Sequence, residues 1–553
     1  MKKLRIGVLF PHTEKLKNWE FRIFSALIES DWADIVVLIK DKSKKKKINY
    51  LDTKNIVGKI LLKVIQFFEN LLIKYKYTNQ YRFYKREKIK ILKKLSQVKE
   101  VYVNPSSQGK YADYFNKSDC QKIKDLELDV LLRHEFKIIK GDILNIPKNG
   151  IWSFHHGDND INRGGPPGFW EIMLNQPVTG VTLQILTEEL DGGKIIEKGF
   201  YSTKKIFSLN QKFIYEKSVE VILKNLRFLH LNGFIKSLPS KTYTKEMLTT
   251  PNTFWILKYC FFCIKNIFAR TKNIFLKFMN YKLNCWSILS KKGRIFSSDL
   301  SEAKLIKPGK DEFWADPFVI SFESKNYVFF ENYSYKLKKG KISCGILSEE
   351  GIKDVCDVLE LDYHVSYPFV FKMNDEFFMM PETREAKRLE IYKAVNFPNK
   401  WQLYSKGFEG EGIADPTLFL DKKKNIWLFV NKAKELYDDY NSELYIYKID
   451  DLKLTTIIPH KLNPVIIDSR RARSAGNIFV EDSKIIRPSQ NNIHSIYGYG
   501  LNLSEIKELS LENYKEELIK MFEPNFKDDL VGVHHVSQFE DGFLFDSCKK
   551  YIK

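Results

Sequence analysis

The sequence predicts an α/β doubly wound domain followed by an all-β five-bladed propeller. Two observations predict this order. Apolar runs near the N-terminus alternate with a helical pattern, and five related phrases recur at similar spacing in the C-terminal half. The 553 residues suffice for two or three domains with separate cores. We place the α/β domain at residues 1–240, a linker at 241–292 and the propeller at 293–553.

Two apolar runs, Leu4–Phe10 and Asp34–Ile39, are typical of buried parallel strands, and residues 19–30 have the apolar spacing of a connecting helix. No GxGxxG follows the first strand, so the dinucleotide-binding fingerprint is absent. The pattern predicts further strands at 101–103, 128–132, 150–154, 180–185 and 194–201. A helix is predicted at 208–228.

Two basic, aromatic segments interrupt this pattern. Residues 48–99 have helical apolar spacing, which indicates either an insertion packed on the domain or a helix lying on an anionic membrane. In residues 249–292 lysines and arginines interrupt the apolar residues, so this segment is predicted to be an amphipathic helical linker and not a membrane span. It either packs between domains or touches a membrane surface.

The propeller prediction rests on recurring phrases that each lead into a strand, a short turn and a second aromatic strand. Five such units in about 250 residues match the length of propeller blades. A two-sheet sandwich is the alternative. The phrases lie at 313–319, 364–371, 412–420, 472–480 and 534–541.

Composition limits the classes of partner. The formal charge of +21 is compatible with nucleic acid, an anionic membrane or phosphorylated substrates. No zinc-finger, RRM or helix-turn-helix signature accompanies it, so nucleic acid is not expected. Seven cysteines at irregular spacing and no signal peptide predict a cytoplasmic protein, peripheral on the inner face of the membrane if the basic segments bind lipid. The oligomeric state is left open.

The richest stretch for chemistry is 150–193, where a histidine pair is followed by Arg-Gly, Pro-Pro-Gly and later by GVTLQILTEELDGG. His155 is followed by Arg163-Gly164 eight residues on, then by Pro167 and Trp170. In this spacing the stretch resembles the folate-dependent formyltransferases, which include enzymes that act on glycinamide ribonucleotide, methionyl-tRNA and sugar nucleotides.

The resemblance implies a catalytic His155 with Asp191 as its acidic partner. A histidine near its ordinary pKa can accept the proton that an amine loses as it attacks a formyl carbon. Arg163, Gly164 and Trp170 are assigned by the resemblance to substrate binding. The family's asparagine, which stabilises the oxyanion, is Ser153 here. The site therefore uses serine in that role, has changed its chemistry or is inactive.

The resemblance also implies formyl-tetrahydrofolate as the donor, bound along the loop 132–138. The residues assigned to it are Leu132, Arg133, His134 and Phe136. No metal is required by this chemistry. An amino-sugar nucleotide or a glycan amine is the expected acceptor, because a propeller takes the place of the C-terminal barrel found in tRNA-formylating enzymes.

The C-terminal half is similar to the propeller domain of plant glucosamine inositol phosphorylceramide transferases and more distantly to five-bladed glycoside hydrolases. The phrases that carry this similarity include WADPF, HVSYPFVF, MMPE, GIADPT and SRRARSAGNIF. The hydrolase resemblance points to Asp316, Asp415 and Glu382 as a carboxylate trio. Asp-Pro is also a common turn, and a glycan-binding surface is the alternative. A set of basic residues is expected to converge at one end of the propeller and to hold a phosphate or carboxylate, namely Arg470, Arg471, Arg473, Arg487, His534 and His535. A solvated turn at SRRAR is the alternative.

The sequence thus favours a formyltransferase of surface-polysaccharide assembly that modifies an amino sugar. The competing hypothesis is a glycan-binding, glycosyl-transferring or glycan-hydrolysing protein that acts through the propeller, with a degenerate formyltransferase-like domain.

Overall fold

The computed structural model describes residues 2–10, 16–42, 56–108, 112–134, 136–189, 192–434 and 437–553, with the backbone alone at 79–86. The chain forms two compact units. The first is Met1–Ile264 with Glu435–Tyr437, and the second is Lys265–Lys434 with Asp438–Lys553.

The first unit contains strands and helices in alternation. Its elements, with the helix that continues into the second unit, are β1 (Leu4–Leu9), α1 (Asn18–Ile28), β2 (Ala33–Asp41), α2 (Ile56–Lys76), α3 (Thr78–Leu95), β3 (Glu100–Val103), β4 (Ser106–Gln108), β5 (Ala112–Tyr114), α4 (Lys117–Lys124), β6 (Val130–Arg133), β7 (Ile138–Lys140), β8 (Ile151–His155), α5 (Phe169–Met173), β9 (Val178–Ile185), β10 (Lys194–Ser202), α6 (Phe207–Asn232) and α7 (Thr253–Phe278).

A seven-stranded sheet in the order β10-β9-β8-β6-β1-β2-β3 organises this unit. Strands β3, β2, β1, β6 and β8 are parallel, while β9 and β10 are antiparallel additions at one edge. Val8 is in register with Leu38 on one side and Leu132 on the other, and all three side chains are buried. The predicted α/β class is confirmed, because long apolar runs of this kind belong to strands covered on both faces.

The segment predicted to be a helical insertion contains α2 and α3, and its residues 48–55 lie outside the described part of the chain. Leu62 of α2 shares a core cluster with Ile256 and Tyr259 of α7. The buried carboxylate of Glu69 on α2 accepts hydrogen bonds from Ser208 N (2.8 Å) and from the Tyr259 hydroxyl. One face of α2 and one face of the start of α7 are therefore fixed on the α/β core.

The second unit is built of short antiparallel strands. They are β11 (Lys282–Lys292), β12 (Lys304–Ile306), β13 (Glu312–Phe322), β14 (Lys325–Ser334), β15 (Lys339–Ser348), β16 (Gly351–Leu359), β17 (Ser366–Met373), β18 (Glu376–Glu382), β19 (Leu389–Asn396), β20 (Lys400–Gly407), β21 (Ile413–Leu420), β22 (Ile426–Lys432), β23 (Glu443–Ile449), β24 (Ile457–Pro459), β25 (Ile466–Ile467), β26 (Phe479–Glu481), β27 (Lys484–Asn491), β28 (Gly500–Leu509), β29 (Tyr514–Phe522), β30 (Leu530–Gly532), β31 (Val536–Phe539) and β32 (Gly542–Ile552).

These strands form five sheets, and the prediction of a five-bladed propeller is confirmed. Four blades are β13–β16, β17–β20, β21–β25 and β26–β29. The fifth combines the two ends of the unit, since β11 pairs with β32 from Lys282–Ile552 to Lys292–Gly542. Such closure ties the first and last strands of the unit into one blade.

The boundary between linker and propeller differs from the sequence-based one. Residues 253–278 are helical, but β11 already belongs to the propeller at 282–292, a range that the sequence assigns to the linker. The pairing partner of β11 lies more than 250 residues away in the chain, so the local pattern of basic and apolar residues does not reveal it.

Candidate functional sites

The first candidate site lies at the carboxyl end of β8, where His155 is the last strand residue. Its Nε2 lies 2.8 Å from the carbonyl oxygen of Asn162. A carbonyl only accepts, so Nε2 carries the hydrogen of that bond. A Cβ at Gly157 would lie 2.9 Å from His155 Nε2, so the ring has room only because this residue is glycine. Asp191, the predicted acidic partner, lies outside the described residues.

Glu171 is a member of this site that the sequence reasoning missed. Its Oε1 would lie 3.7 Å from the same Cβ position at Gly157, so the carboxyl group and the imidazole of His155 border one small space. Burial raises the pKa of Glu171, and its backbone hydrogen bonds and the nearby His155 oppose this rise only in part. The sequence feature that points to Glu171 is its position directly after Trp170, in a short helix that follows the Pro-Pro-Gly turn.

Ser153 is held by Arg133, one strand away in the sheet. Arg133 Nη1 donates to Ser153 Oγ across 3.1 Å, while Nε and Nη2 donate to the carbonyls of Lys137 (3.2 Å) and Phe136 (3.1 Å). A guanidinium has no acceptor, so the Ser153 oxygen accepts and its hydroxyl hydrogen points elsewhere. The arginine thereby fixes both the loop after β6 and the serine.

The residues assigned to the folate donor have different environments. Leu132 is buried in the sheet. The ring of His134 lies 5.2 Å from that of Trp19 and 4.9 Å from that of Phe24, and burial lowers its pKa to about 3. Phe136 is half-buried with a φ of 75° and stacks on Phe115. Phe136 and His134 thus make ring contacts within the protein, and three Arg133 nitrogens bond to protein groups.

His156 points away from His155, into an aromatic cluster. Its ring centroid lies 4.3 Å from Tyr215, 5.3 Å from Phe154 and 5.5 Å from Trp19. Burial lowers its pKa well below the ordinary value, so the ring is neutral. This arrangement follows from the alternation of side chains along the strand and leaves His155 as the histidine at the site.

The side chains of Arg163 and Trp170 bond to other parts of the protein. Arg163 is 6% exposed and bonds Glu189, the carbonyl of Asn159 (3.3 Å) and the carbonyl of Lys241 (2.6 Å). Trp170 Nε1 donates to the carbonyl of Thr249 at 3.0 Å. Both anchor the segment 241–249 that returns across the motif.

Gly164 has the same structural role. A Cβ at this position would lie 1.9 Å from the carbonyl oxygen of Leu248. Contacts with the returning segment account for the Arg-Gly pair without a substrate. The substrate-binding role assigned to Arg163, Gly164 and Trp170 stays a prediction.

The second candidate site lies at the centre of the propeller. In three blades the pairing of the inner strand is interrupted by a bulge at Asp316, Tyr367 and Asp415. Their φ angles are 50°, 46° and 45°, in the left-handed region, and each is followed by proline. The same left-handed bulge therefore places one residue from each of these blades at the propeller centre. Bulges and strained backbone of this kind are common at functional sites.

Arg473 connects two of the predicted carboxylates. Its Nε donates to Asp415 Oδ2 at 2.6 Å, and its Nη2 lies 3.1 Å from Glu382 Oε2. Burial raises the pKa of Asp415 to about 7, since Arg473 offsets only part of that cost and Glu382 adds to it. For Glu382, burial is outweighed by Arg384 and Arg473, so its pKa is lowered. One carboxyl of this pair is therefore close to protonation at neutral pH.

Asp316 belongs to a neighbouring network. His534 lies between two carboxylates, with Nδ1 2.9 Å from Asp546 Oδ1 and Nε2 3.3 Å from Asp316 Oδ1. Burial alone lowers the pKa of His534, but the two carboxylates outweigh it and raise the pKa to about 10. Beside them, burial and Asp316 raise the pKa of Glu331 well above its usual range.

The network of Asp316, His534 and Asp546 is also the group in the described chain that offers three ligand atoms for a metal, all within 4.8 Å of one another. The imidazolium between two carboxylates accounts for the same arrangement without an ion.

Tyrosines lie near this centre. The Arg473 guanidinium lies 4.8 Å from the ring centre of Tyr497, and that of Arg384 lies 4.9 Å from Tyr440. Tyr497 is 42% exposed. Flat aromatic faces next to carboxylates and arginines are suited to a sugar ring, whose C–H groups stack while its hydroxyls bond.

Among the other predicted propeller residues, Arg487 and Arg471 lie in separate ion pairs, whereas His535 lies beside this centre. Arg487 is buried in an ion pair with Glu516 at 2.7 Å, and Arg471 lies 3.7 Å from Asp468. His535 packs on Phe318 and Tyr367, and burial lowers its pKa to about 3. Arg473 is the arginine of the SRRAR run that reaches the carboxylates, and its distance in sequence from them conceals the pairing.

The chain thus combines an α/β domain that carries a histidine site with a propeller that has a charged centre. Residues 300–529 match the family described as "Glucosamine inositolphosphorylceramide transferase 1, N-terminal". This is less than half of the chain.

Individual relatives match shorter parts. Glucosamine inositolphosphorylceramide transferase 1 of Arabidopsis thaliana is 33% identical over 208 residues, 37% of this chain and 27% of its own length. Methionyl-tRNA formyltransferase of Bacillus thuringiensis (strain Al Hakam) is 33% identical over 81 residues, 14% of this chain and 26% of its own length. The chain thus covers about a quarter of these relatives.

Among solved structures, a thermostable family-43 glycoside hydrolase has a TM-score of 0.33 and 12% identity, covering 44% of this chain and 89% of that one. The sequence matches, taken with the observed topology, confirm both suspected resemblances and the predicted fold class: a formyltransferase-like α/β domain followed by a five-bladed propeller.

Proposed function

We propose that the first unit transfers a formyl group from formyl-tetrahydrofolate to the amine of a nucleotide-linked or glycan amino sugar. The observation that carries this proposal is His155 at the carboxyl end of β8, held through Nε2 by the carbonyl of Asn162, with the carboxyl group of Glu171 nearby. In this reaction the amine nitrogen attacks the formyl carbon, and Nδ1 of His155 takes up the amine proton because Nε2 already carries the hydrogen bonded to Asn162. The bond from the formyl carbon to the donor nitrogen then breaks as His155 returns that proton to the departing nitrogen.

The donor is assigned to the loop after β6, where Phe136 and His134 offer aromatic surfaces. Ser153 supplies the hydrogen bond to the oxyanion, since Arg133 occupies its acceptor side. Sugar acceptors are favoured over tRNA because a match to a glucosamine transferase family occupies much of the second unit. In this proposal the propeller centre binds the acceptor glycan.

The test is to incubate the protein with formyl-tetrahydrofolate and a panel of amino-sugar nucleotides, and to follow the formylated product by mass spectrometry. Formylation that is lost in His155→Ala, with an unchanged melting temperature, is the expected result. A wild-type protein that neither forms product nor shifts its melting temperature with folate contradicts the proposal. His230→Ala, on the last turn of α6, is the matched histidine control.

A second function is favoured by the propeller centre. Asp415, whose pKa is about 7, and Glu382, whose pKa is lowered, form a pair of carboxyls in different protonation states, the condition for general acid–base work on a glycoside. Under this hypothesis the first unit is a degenerate platform. A glycan-directed activity that Asp415→Asn or Glu382→Gln abolishes, in a protein that does not bind folate, selects it over formyl transfer.

A further inference from the structure

The exposed faces of α2 and α7 carry a long apolar surface that the proposed reaction does not use. On α7 most of the exposed apolar residues follow three- and four-residue spacing, so they lie along one side of the helix. They include Phe254, Leu257, Phe261, Ile264, Phe268, Phe275 and Phe278, and Ile267 and Ile274 are exposed as well. The exposed set on α2 has similar spacing and includes Val57, Ile60, Val64, Phe67, Phe68, Leu71 and Leu72, with Ile56 and Tyr75 towards the ends of the helix.

The opposite faces of these helices are already covered. Leu62 of α2 and Ile256 and Tyr259 of α7 are buried in one core cluster. The apolar stripes therefore point outward because the inward positions are filled. Single exposed apolar residues are common on soluble proteins, but exposed sets on α2 and on residues 253–264 of α7, which pack against one core, mark an interaction surface.

The charges on the two helices identify the partner. Helix α2 contains Lys59, Lys63, Lys74 and Lys76, and helix α7 contains Lys258, Lys265, Arg270, Lys272 and Lys277. Their one acidic residue, Glu69, is buried and bonded to Ser208 and Tyr259. An apolar stripe with only basic neighbours fits the boundary between the acyl chains and headgroups of an anionic bilayer.

A second copy of the chain is a poorer partner for this surface. Helix pairs that associate through apolar stripes normally place acidic residues opposite basic ones beside the seam. Here both sides would be basic, and the like charges would repel. Anionic headgroups neutralise the same charges, while the long lysine side chains reach from the apolar stripe to the headgroups.

The surface lies along the membrane and does not cross it. Among the described residues, no helix has the length and uninterrupted hydrophobicity that a span requires. We infer that α2 and α7 dock the protein on an anionic lipid surface, with the apolar stripes in the acyl boundary and the lysines on phosphate groups.

The experiment is co-sedimentation of the full-length protein with phosphatidylcholine vesicles, with and without phosphatidylglycerol, at low and at high salt. Binding is expected only with phosphatidylglycerol and is weakened by salt. Lys258→Gln/Lys265→Gln should weaken it by more than roughly tenfold, because each basic residue near such a surface contributes a factor of about five.

The apolar part is tested with Phe261→Ser/Phe268→Ser, which removes side chains that are 70% and 69% exposed. This change is expected to abolish sedimentation without altering the melting temperature. Leu337→Ser/Leu420→Ser, at propeller positions that are 61% and 55% exposed, is the matched control and should sediment like the wild type.

Three outcomes overturn the inference. They are a wild-type protein that stays in the supernatant with both vesicle types, a Phe261→Ser/Phe268→Ser variant that binds as the wild type does, and a dimer in light scattering that this same variant converts to a monomer. The last outcome would show that a second copy covers the stripes.

Discussion

The guanidinium of Arg133 donates a hydrogen bond to the hydroxyl oxygen of Ser153 across 3.1 Å, at the position that the formyltransferase resemblance assigns to an asparagine. The donated bond uses the acceptor side of the serine and leaves its hydrogen for another partner. Serine is shorter than asparagine, but here the guanidinium of Arg133 holds its hydroxyl group in one orientation. The substitution and the arginine are best understood as one unit.

Ser153→Ala is expected to lower kcat by about 10²–10³, the typical cost of losing one hydrogen-bond donor to an oxyanion, with little change in KM. The measurement is steady-state formyl transfer with an acceptor that the wild type uses. Ser202→Ala, a change at a buried serine on β10, is the control. A Ser153→Ala enzyme with the wild-type kcat would remove the serine from the mechanism.

Gly164→Ala is expected to destabilise the first unit, because the new Cβ would lie 1.9 Å from the carbonyl oxygen of Leu248 and backbone atoms cannot rotate away. Overpacking of this kind costs about 1–3 kcal/mol or more. At Gly165 the nearest atom would be 3.6 Å away, so Gly165→Ala should cost much less. The measurement is the denaturant midpoint of both variants. Equal midpoints would mean that the 241–249 segment does not pack on the motif.

Local patterns predicted the α/β and propeller units well, because strand alternation and repeated turns are encoded within ten or fifteen residues. The contacts of Arg163 and Trp170 were not predictable in the same way. Their partners, Lys241 and Thr249, lie 78 and 79 residues further along the chain. A motif shows that residues are required together, but not whether a ligand or a returning segment requires them.

The propeller centre shows the same limit. The sequence predicted Asp316, Glu382 and Asp415 as a trio, yet the structure divides them into two networks, one around Arg473 and one around His534. Arg473 lies 91 residues from Glu382 and 58 from Asp415 in the chain. Only the folded arrangement of the blades brings Arg473, Glu382 and Asp415 together.

Arg473→Met is expected to cost about 3–5 kcal/mol, because it leaves Asp415 and Glu382 as buried carboxyls without their common cation. The measurement is the free energy of unfolding of the full chain by denaturant. Arg471→Met is the matched control in the same run of arginines, and its loosely paired, half-exposed side chain should contribute less than about 1 kcal/mol. Equal losses for both would contradict the role of Arg473.

The raised pKa of His534 predicts a defined pH dependence of stability. The ordinary pKa of histidine is about 6.5, and Asp546 and Asp316 raise that of His534 to about 10 despite its burial. The folded state therefore holds a proton that the unfolded state releases above pH ~6.5. Its contribution to stability is complete below that pH and is lost as the pH rises through about 10.

The prediction is checked by comparing unfolding midpoints of the wild type and His534→Gln between pH 6 and pH 10, where the other groups contribute equally to both proteins. The difference between the two should be largest at the acid end and shrink steadily towards the alkaline end. Asp415 titrates in a lower pH window and is a second comparison, for which the measurement is extended down to pH 4. Burial raises the pKa of Asp415 to about 7, so the folded state binds this proton more tightly than the unfolded state does. The resulting stabilisation is present at acid pH and is lost between about pH 4 and 7. Asp415→Asn should therefore change the pH profile of stability mainly below the histidine window. A His534→Gln difference that does not vary with pH would show that the imidazole is neutral in the folded protein, and the Asp316–His534–Asp546 network would then be a hydrogen-bonded and not an ionic one.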